Sequence, residues 1–178
     1  MYRTYTTIFK GGICLEMGLR EYQQEVLNII DNLEPGSYLI QMATGLGKTM
    51  TFTNIKRKGR VLVLAHREEL VTQPIKYYDC PVGIEMADKH SNGEEVVIAS
   101  VMTLIHRLEK FRSDEFDMII IDEAHHAAAT SYKKIINYFK PRLLLGFTAT
   151  PNRRRQYTIR RCISKNHISE RFKMGHTK

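Results

Sequence analysis

The 178-residue chain has no tryptophan, only five prolines and only three cysteines, and the scarcity of cysteine excludes several classes of protein. Cys14, Cys80 and Cys162 are odd in number, lie far apart and form no C-x-x-C pair. This spacing argues against a disulfide framework and against a structural zinc site. It favours a protein of a reducing compartment, and we expect the cytoplasm.

Long hydrophobic runs are also missing from the sequence. No stretch approaches the roughly 18 apolar residues that a membrane-spanning helix needs. The N-terminal segment is interrupted by Lys10 and by the Gly11-Gly12 pair before it reaches the apolar length of a signal peptide. The sequence therefore predicts neither export nor anchoring in a membrane.

The excess of positive charge is confined to one end of the chain. The sequence holds 27 Lys and Arg against 19 Asp and Glu, which gives a net charge of +8. Residues 152–178 contain nine of these basic residues and one of the acidic ones, so the rest of the chain is electrically balanced. Overall basicity is thus no evidence for nucleic-acid binding by the body of the protein, and such evidence must come from motifs.

Short apolar runs alternate with amphipathic segments from residue 19 onward, which is typical of an α/β domain with a mostly parallel sheet. The pattern predicts a first helix over residues 20–33. It predicts strands at residues 37–42, 60–65, 95–99, 117–121 and 142–147, and further helical segments at residues 67–77 and 131–139. Residues 1–16 are predicted to form an irregular or edge-strand lead-in.

The segment after the first predicted strand has the composition of a phosphate-binding loop. Its residues are Thr44, Gly45, Leu46, Gly47, Lys48 and Thr49. The glycines allow the positive φ angles that turn successive backbone N–H groups toward an anion. Lys48 is predicted to reach the β- and γ-phosphates of a nucleotide, and Thr49 to supply a ligand to Mg²⁺. The strict pattern G-x-x-x-x-G-K-[ST] requires glycine where Met42 stands, so a glycine-rich turn that binds nothing is the alternative.

Two adjacent acids, Asp122 and Glu123, directly follow the apolar run at residues 117–121. Ligands bind at the carboxyl ends of strands in such sheets. Two acids at this position cost folding free energy unless a cation uses them. Asp122 is therefore predicted to hold Mg²⁺, and Glu123 to orient and deprotonate the water that attacks the γ-phosphate. The alternative is that both acids merely occupy the first turn of a helix.

Together, the loop and the segment Asp122-Glu123-Ala124-His125 resemble motifs I and II of superfamily 2 helicases of the DEAD/DEAH-box type. The most similar subgroup shares its motor with type III restriction enzymes, because Leu19-Arg20-Glu21-Tyr22-Gln23 resembles its L-R-x-Y-Q element. The resemblance implies a RecA-like three-layer sandwich that binds ATP and Mg²⁺. It also implies that Gln23 hydrogen-bonds the adenine edge while Arg20 and Tyr22 pack on the base. Without the family, Tyr22 is interpreted as a core residue and Gln23 as a solvated one.

Two further segments resemble family motifs that contact nucleic acid. The segment 65–70 resembles motif Ia, in which the arginine touches a nucleic-acid phosphate, and this implies such a contact for Arg67. The segment 97–104 resembles the motif Ib region, which implies contacts of Ser100 and Thr103 with the nucleic-acid backbone.

The segment 147–151 resembles motif III, whose hydroxyls link the ATP site to the nucleic-acid track. The resemblance implies this coupling role for Thr148 and Thr150, acting through His125. His126 follows directly, but adjacent side chains on a helix diverge, so the histidine pair does not predict a metal site.

The resemblance covers residues 19–152 and therefore only the first lobe of such a motor. The expected domains are the lead-in at residues 1–16, a helicase ATP-binding RecA-like domain at residues 17–152 and a non-matching basic tail at residues 153–178. The second lobe of the family, with the arginine that completes the ATP site, is absent from this sequence. Codons that can encode the tail also encode a family-like continuation one nucleotide later, so we interpret the tail as the product of a frameshift. A tail that binds nucleic acid by its charge is the alternative.

The sequence thus predicts the ATP- and Mg²⁺-dependent lobe of a nucleic-acid helicase or translocase, truncated and weakly active or inactive alone. DNA is favoured over RNA as the partner, and the oligomeric state stays open. One alternative is a catalytically dead module that binds nucleotide or nucleic acid. Another is a metabolic phosphate-loop kinase, which would leave Arg67 and residues 148–150 without a role. ATP hydrolysis stimulated by nucleic acid would separate these functions.

Overall fold

A short antiparallel hairpin precedes a seven-stranded sheet in the computed structural model. The structure describes residues 5–9, 12–16, 18–66, 71–127, 129–149 and 161–164, and for residues 5–9, 12–16 and 161–164 only the backbone. The hairpin consists of β1 (Tyr5–Phe9) and β2 (Gly12–Glu16). The sheet consists of β3 (Gly36–Gln41), β4 (Val61–Ala65), β5 (Val82–Glu85), β6 (Val96–Ser100), β7 (Met118–Ile121), β8 (Leu143–Thr148) and β9 (Arg161–Ser164).

The strand order across the sheet is β5-β6-β4-β7-β8-β3-β9, and every neighbouring pair is parallel. Parallel strands bring all their carboxyl ends to one edge of the sheet. The helices that connect the strands are α1 (Glu21–Asp31), α2 (Lys48–Thr53), α3 (Val101–Leu104) and α4 (Thr130–Tyr138). Short 3-10 helices lie at Gln73–Tyr77, Leu108–Lys110 and Ala124–His126.

Apolar side chains alternate between the two faces of the sheet, so helices cover both faces. In β4, Val63 packs in the same apolar cluster as Ile30 of α1, whereas its neighbour Leu62 packs with Leu104 of α3 and Ile135 of α4. This alternation follows from the two-residue period of a strand. Because both faces are buried, the strands are almost continuously apolar, as expected for a parallel sheet. The predicted α/β class with three layers and a mostly parallel sheet is confirmed.

Most predicted elements are present, with bounds shifted by one or two residues. The first helix is shorter than predicted. It begins at Glu21 and ends at Asp31, four residues before Pro35. In the segment predicted as a helix at residues 67–77, residues 71–72 are helical and a 3-10 helix follows with Pro74 in its first turn. Residues 67–70 lie outside the described residues.

Three strand assignments differ from the sequence prediction. The lead-in forms the β1–β2 hairpin, which is more regular than predicted. Strand β5 was not predicted, because Gly83 and Glu85 interrupt its short apolar pattern. Strand β9 lies in the basic tail, where no strand was predicted because the tail lacks the alternation of apolar and polar residues, and its Cys162 pairs with Leu39 of β3. Edge pairing of this kind depends on backbone hydrogen bonds and not on an apolar pattern. Among the described residues, no helix combines the length and apolarity needed to cross a bilayer.

Candidate functional site

The loop between β3 and α2 turns at two glycines with left-handed backbone conformation. Gly45 has a φ of 81°, and Gly47, the N-cap residue of α2, has a φ of 73°. A side chain at either position would be strained. At Gly47 a Cβ would also lie 2.6 Å from Nε2 of Gln23, so a side chain here would have to displace the buried Gln23 amide. The positive φ angles predicted for both glycines are confirmed.

The structure brings this loop next to the acidic pair. Lys48 is the first residue of α2, and its Nζ atom lies 3.5 Å from Oε1 of Glu123. Its side chain is only 12% exposed. The two residues meet because β3 and β7 flank β8 and all three strands end at the same edge. Thr49 is half-buried beside Lys48, while Thr44 is exposed in the loop.

Asp122 is a buried carboxylate in an electrostatically unfavourable position. The residue is 7% exposed, and Oδ1 accepts a hydrogen bond of 3.0 Å from the backbone N–H of Glu123. Burial raises the pKa of the Asp122 carboxyl, and the negative charge of Glu123 raises this pKa further. The N–H of Glu123 and the charges of Lys48 and His125 act in the opposite direction without cancelling the rise. An additional cation at Asp122 would therefore be favourable.

Glu123 lies between two potentially cationic groups. Its Oε1 faces Lys48, and its Oε2 lies 3.2 Å from Nδ1 of His125. Its backbone has a φ of 52°, which is uncommon for a residue other than glycine and costs roughly 1 kcal/mol or more. The strained turn separates the two acids, so that Asp122 is buried while Glu123 is half-buried. Local strain of this kind is found preferentially at functional sites.

The donor groups at this edge fit a magnesium ion. Mg²⁺ prefers oxygen ligands and is usually held by one or two protein groups together with phosphate oxygens and water. The Asp122 carboxylate and the Thr49 hydroxyl are oxygen donors of this kind. The raised pKa of Asp122 is what an acid shows when a compensating cation is needed.

The predicted adenine-contact residues are packed against the glycine loop between β3 and α2. Gln23 is 5% exposed, and its Nε2 donates to the carbonyls of Leu46 and Gly47 at 3.2 and 3.3 Å. Its Oε1 accepts from the N–H of Arg20 at 2.8 Å, and this bond also starts α1. The alternative in which Gln23 is solvated is therefore wrong. Tyr22 is half-buried, and its hydroxyl donates to Leu46 O at 2.8 Å and accepts from Arg20 at 3.1 Å.

The residues predicted to contact nucleic acid lie near the opposite end of the same edge. Ser100 is the last residue of β6 and is buried, and Thr103 is half-buried in α3. Oγ1 of Thr103 accepts a hydrogen bond of 3.3 Å from the N–H of Ala87. Met102 beside it is 59% exposed. Arg67, which carried the predicted phosphate contact, lies outside the described residues.

The predicted coupling residues are only partly described. Thr148 ends β8 and is 1% exposed, and its carbonyl accepts a 3.0 Å hydrogen bond from the N–H of Met42, just before the glycine loop. His125 is paired with Glu123. Thr150 lies outside the described residues. The coupling of these hydroxyls through His125 therefore remains a prediction.

The sequence analysis missed a buried acid, Glu85, at the end of β5. Its side chain is fully buried and contacts Arg107 at 3.0 Å, Lys110 at 3.1 Å and the N–H of Ser91 at 2.8 Å. Burial alone would raise the pKa of Glu85, but these hydrogen bonds together hold it below its ordinary value. This acid fixes the turn that carries Ala87 toward Thr103. The local sequence pattern does not predict that this acid is buried, because the residues that stabilise its charge come from separate elements.

The chain is similar in sequence to several known proteins. The family model described as type III restriction enzyme, res subunit, matches residues 16–153. The Saccharomyces cerevisiae protein IRC3, named as a candidate ATP-dependent helicase, is 36% identical over 160 residues. The match covers 74% of this chain and 23% of IRC3. The type I restriction enzyme EcoAI endonuclease subunit of Escherichia coli is 32% identical over 155 residues, which covers 74% of this chain and 19% of that protein.

A solved structure shows the same fold. The helicase domain of Pyrococcus furiosus Hef superposes with a TM-score of 0.65 at 23% identity, over 83% of this chain and 38% of Hef. The RecA-like fold expected from the motifs is therefore confirmed. The chain spans about a quarter or less of the two curated relatives described above.

Proposed function

This chain belongs to the type III restriction enzyme res subunit family of superfamily 2 helicases, and on that premise we propose that it is the ATP-binding lobe of a nucleic-acid helicase or translocase. One observation carries the proposal. Lys48, after a glycine turn, and the acids Asp122 and Glu123, after a strand two positions away in the sheet, meet at one edge. A phosphate binder, a metal ligand and a general base are the groups that hydrolysis of a nucleoside triphosphate requires.

Each residue at this edge has its own proposed role in ATP binding or hydrolysis, and its contacts support that role. Lys48 exchanges its contact with Glu123 for the β- and γ-phosphates of ATP, because a phosphate carries more negative charge than one carboxylate. Thr49 and Asp122 would hold Mg²⁺, which neutralises phosphate charge when bound. Glu123, once released by Lys48, orients the attacking water and accepts its proton. His125 keeps the Glu123 side chain in position on its other oxygen.

Gln23 and Tyr22 connect the base-binding region to the phosphate loop. Their hydrogen bonds to Leu46 and Gly47 tie the start of α1 to the loop. We propose that Gln23 exchanges part of these bonds for the adenine edge when ATP binds. Loop conformation would then respond to the identity of the base.

The test of nucleotide binding compares two lysines on the same segment. Lys48→Ala should weaken the affinity for ATP at least tenfold in titration calorimetry, because only backbone N–H groups then hold the β/γ-phosphates. Lys56→Ala is the control, since the side chain of Lys56 is 79% exposed and pairs with Asp31 away from the loop. Unchanged affinity in the Lys48 variant, or equal losses in both, would remove the phosphate loop from the proposal.

The test of the general base separates binding from turnover. Glu123→Gln should keep the affinity for ATP within a few-fold and abolish residual hydrolysis, because the amide cannot accept the proton. Undiminished turnover in this variant would show that Glu123 has another role.

The nucleic-acid partner follows from the motifs and from the relatives. We propose weak, salt-sensitive and sequence-independent binding, with Arg67, Ser100 and Thr103 contacting the backbone and DNA favoured over RNA. Binding should persist in a variant that ends at Arg153 and should fall with Arg67→Ala. Because this removal also takes β9 from the sheet, loss of binding in a truncated variant whose melting temperature is unchanged would assign the binding to the basic tail instead.

Turnover should be slow in the 178-residue chain. In this family an arginine from the second lobe stabilises the transition state, and such an arginine contributes ~10³ to 10⁵ in rate in related enzymes. We therefore expect ATP turnover well below about 1 s⁻¹, with or without DNA or RNA. Fast, nucleic-acid-stimulated turnover by a verified monomer would contradict this expectation. Transfer of phosphate to a small molecule would favour a kinase.

A further inference from the structure

The exposed side of α4 carries basic and neutral polar side chains and no acidic ones. Buried Tyr132 and Ile135 mark the side of this helix that packs on the sheet. The opposite side follows the spacing i, i+3, i+4, i+7, which places residues in one stripe along a helix. The stripe consists of Thr130, Lys133, Lys134 and Asn137, all of them exposed. Each of these side chains can donate a hydrogen bond, and none carries a negative charge.

The positive charge of this stripe is not neutralised by its surroundings. Residues 124–142 contain three lysines and one arginine but no Asp or Glu. The arginine, Arg142, is paired with Asp117. Within the described part of the chain, no salt bridge joins Lys133 or Lys134 to an acid. An exposed helix that only meets solvent commonly interleaves charges of both signs, and α4 does not.

Helix α1 has the opposite charge and covers the opposite face of the sheet. It contains Glu21, Glu25 and Asp31 and no Lys or Arg. Its buried residues belong to the apolar cluster on one face, whereas those of α4 belong to the cluster on the other. Charge is therefore separated between these two helices, although the chain before the tail is balanced as a whole. Such a separation attracts an anionic polymer to the α4 side.

The position of α4 beside α3 indicates which polyanion fits the stripe. The two helices pack directly against each other. Helix α3 carries Thr103, for which we propose a contact with the nucleic-acid backbone. Helix α4 follows β7 and therefore begins at the carboxyl edge of the sheet, the edge at which α3 begins. A nucleic acid held at α3 thus has the basic stripe of α4 as a neighbouring surface.

We propose that the α4 stripe is a second contact surface for the phosphate backbone of the nucleic acid that binds at α3. This inference rests on the proposed function. Lys133 and Lys134 supply positive charge, while Thr130 and Asn137 donate hydrogen bonds to phosphate oxygens. Contacts of this kind hold and orient a nucleic acid without reading its sequence.

The experiment measures binding of the full chain to a labelled DNA duplex with a single-stranded extension, by fluorescence anisotropy over a series of salt concentrations. Lys133→Ala combined with Lys134→Ala should weaken the affinity about tenfold at low salt. The slope of log K against log salt concentration should become shallower by roughly 1.4 to 1.8, because each phosphate contact contributes about 0.7 to 0.9. Both lysines are exposed and alanine favours a helix, so this variant should fold. Arginine at both positions should retain binding, because it keeps the charge.

A matched control changes the net charge by the same amount elsewhere. Lys56 and Lys58 are both exposed and lie between α2 and β4, at the edge where the strands begin. Lys56→Ala combined with Lys58→Ala should match the wild type in affinity and in slope. The basic tail is present in every variant, so it cannot produce a difference between them.

The outcomes separate this inference from the proposed function. If the wild type binds DNA but the Lys133 and Lys134 double variant stays within twofold of it with the same slope, the α4 surface is overturned and the proposed function stands. That result would leave an acidic protein as the occupant of the stripe. Equal losses in both double variants would assign the effect to net charge and also overturn the inference. If the wild type binds no nucleic acid, the inference and the proposed nucleic-acid partner both fail, while Lys48-dependent binding of ATP still tests the nucleotide site.

Discussion

The two edges of the central sheet use charge in opposite ways. At the edge where the strands begin, acidic and basic side chains from different segments neutralise one another. The guanidinium of Arg142 donates to both oxygens of Asp117 at 3.0 and 3.1 Å, and that of Arg60 pairs with Glu115. These pairs connect the N-terminal ends of β4, β7 and β8.

At the edge where the strands end, Glu85 of β5 is neutralised by Arg107 and Lys110, but unfavourable features are concentrated at the ends of β3 and β7. Asp122 and Glu123 place two negative charges side by side, and burial raises the pKa of Asp122. Positive φ angles at Gly47 and Glu123 add backbone conformations that most residues avoid. Lys48 and His125 compensate for part of this negative charge, and an additional cation would compensate for more of it. One edge thus stabilises the fold, while the other carries the local strain and uncompensated charge at which we propose that ligands bind.

The largest expected effect comes from adding a methyl group to the loop. Gly47→Ala should lower the free energy of unfolding by about 2–3 kcal/mol, because it combines left-handed strain with displacement of the buried Gln23 amide. Gly45→Ala is the control, since no heavy atom lies within 4 Å of its added Cβ, and it should lose only about 1 kcal/mol of strain. Urea unfolding measures both. Equal losses would show that the close approach of Gln23 is unimportant.

The second largest change in the free energy of unfolding should come from the ion pair at the edge where the strands begin. Arg142→Ala leaves the largely buried Asp117 without its bidentate partner and should lower the free energy of unfolding by about 2 kcal/mol. Nucleotide affinity should stay unchanged, because the pair is remote from Lys48. Adding Asp117→Ala should restore part of the stability. A parallel loss of nucleotide affinity would contradict the division of labour between the edges.

A substitution at Asp122 should change the free energy of unfolding by a smaller amount and should increase it. Because the folded state raises the pKa of this acid, ionisation destabilises the fold once the pH exceeds the ordinary value of 3.8, and fully so above the raised pKa. Asp122→Asn should therefore gain on the order of 1 kcal/mol at high pH while losing Mg²⁺-dependent nucleotide binding.

Thermal unfolding across a pH series checks the sign of this prediction. The gain from Asp122→Asn should shrink as the pH falls through the raised pKa and vanish below about 3.8, where the acid is protonated in both folded and unfolded states. A destabilised asparagine variant at neutral pH would show that Asp122 supports the fold and does not strain it.

The smallest effect should come from an exposed ion pair. Arg112 and Asp114 are joined at 2.7 Å, but their side chains are 80% and 61% exposed. Solvent screens such pairs, so Arg112→Ala should leave the melting temperature unchanged within error. A loss as large as that of Arg142→Ala would mean that burial does not decide which pairs stabilise this protein.

Much of the fold follows from local patterns. The apolar runs of β3, β4, β6, β7 and β8 and the amphipathic stripes of α1 and α4 predict their elements because doubly covered strands and half-buried helices leave these periodicities. Strands β5 and β9 are exceptions, and β5 shows why. Its Glu85 is stabilised by Arg107, Lys110 and Ser91, which lie beyond the reach of any local pattern.

The sequence by itself determined the class of fold, the glycine turn before Lys48 and the acid pair, since each depends on residues that are neighbours in the chain. Only the tertiary structure decided which of these groups meet. It placed Lys48 against Glu123 and buried Gln23 beneath the loop. The reason is physical: charge, desolvation and hydrogen bonding act through space, and strand order brings together groups that are distant along the chain.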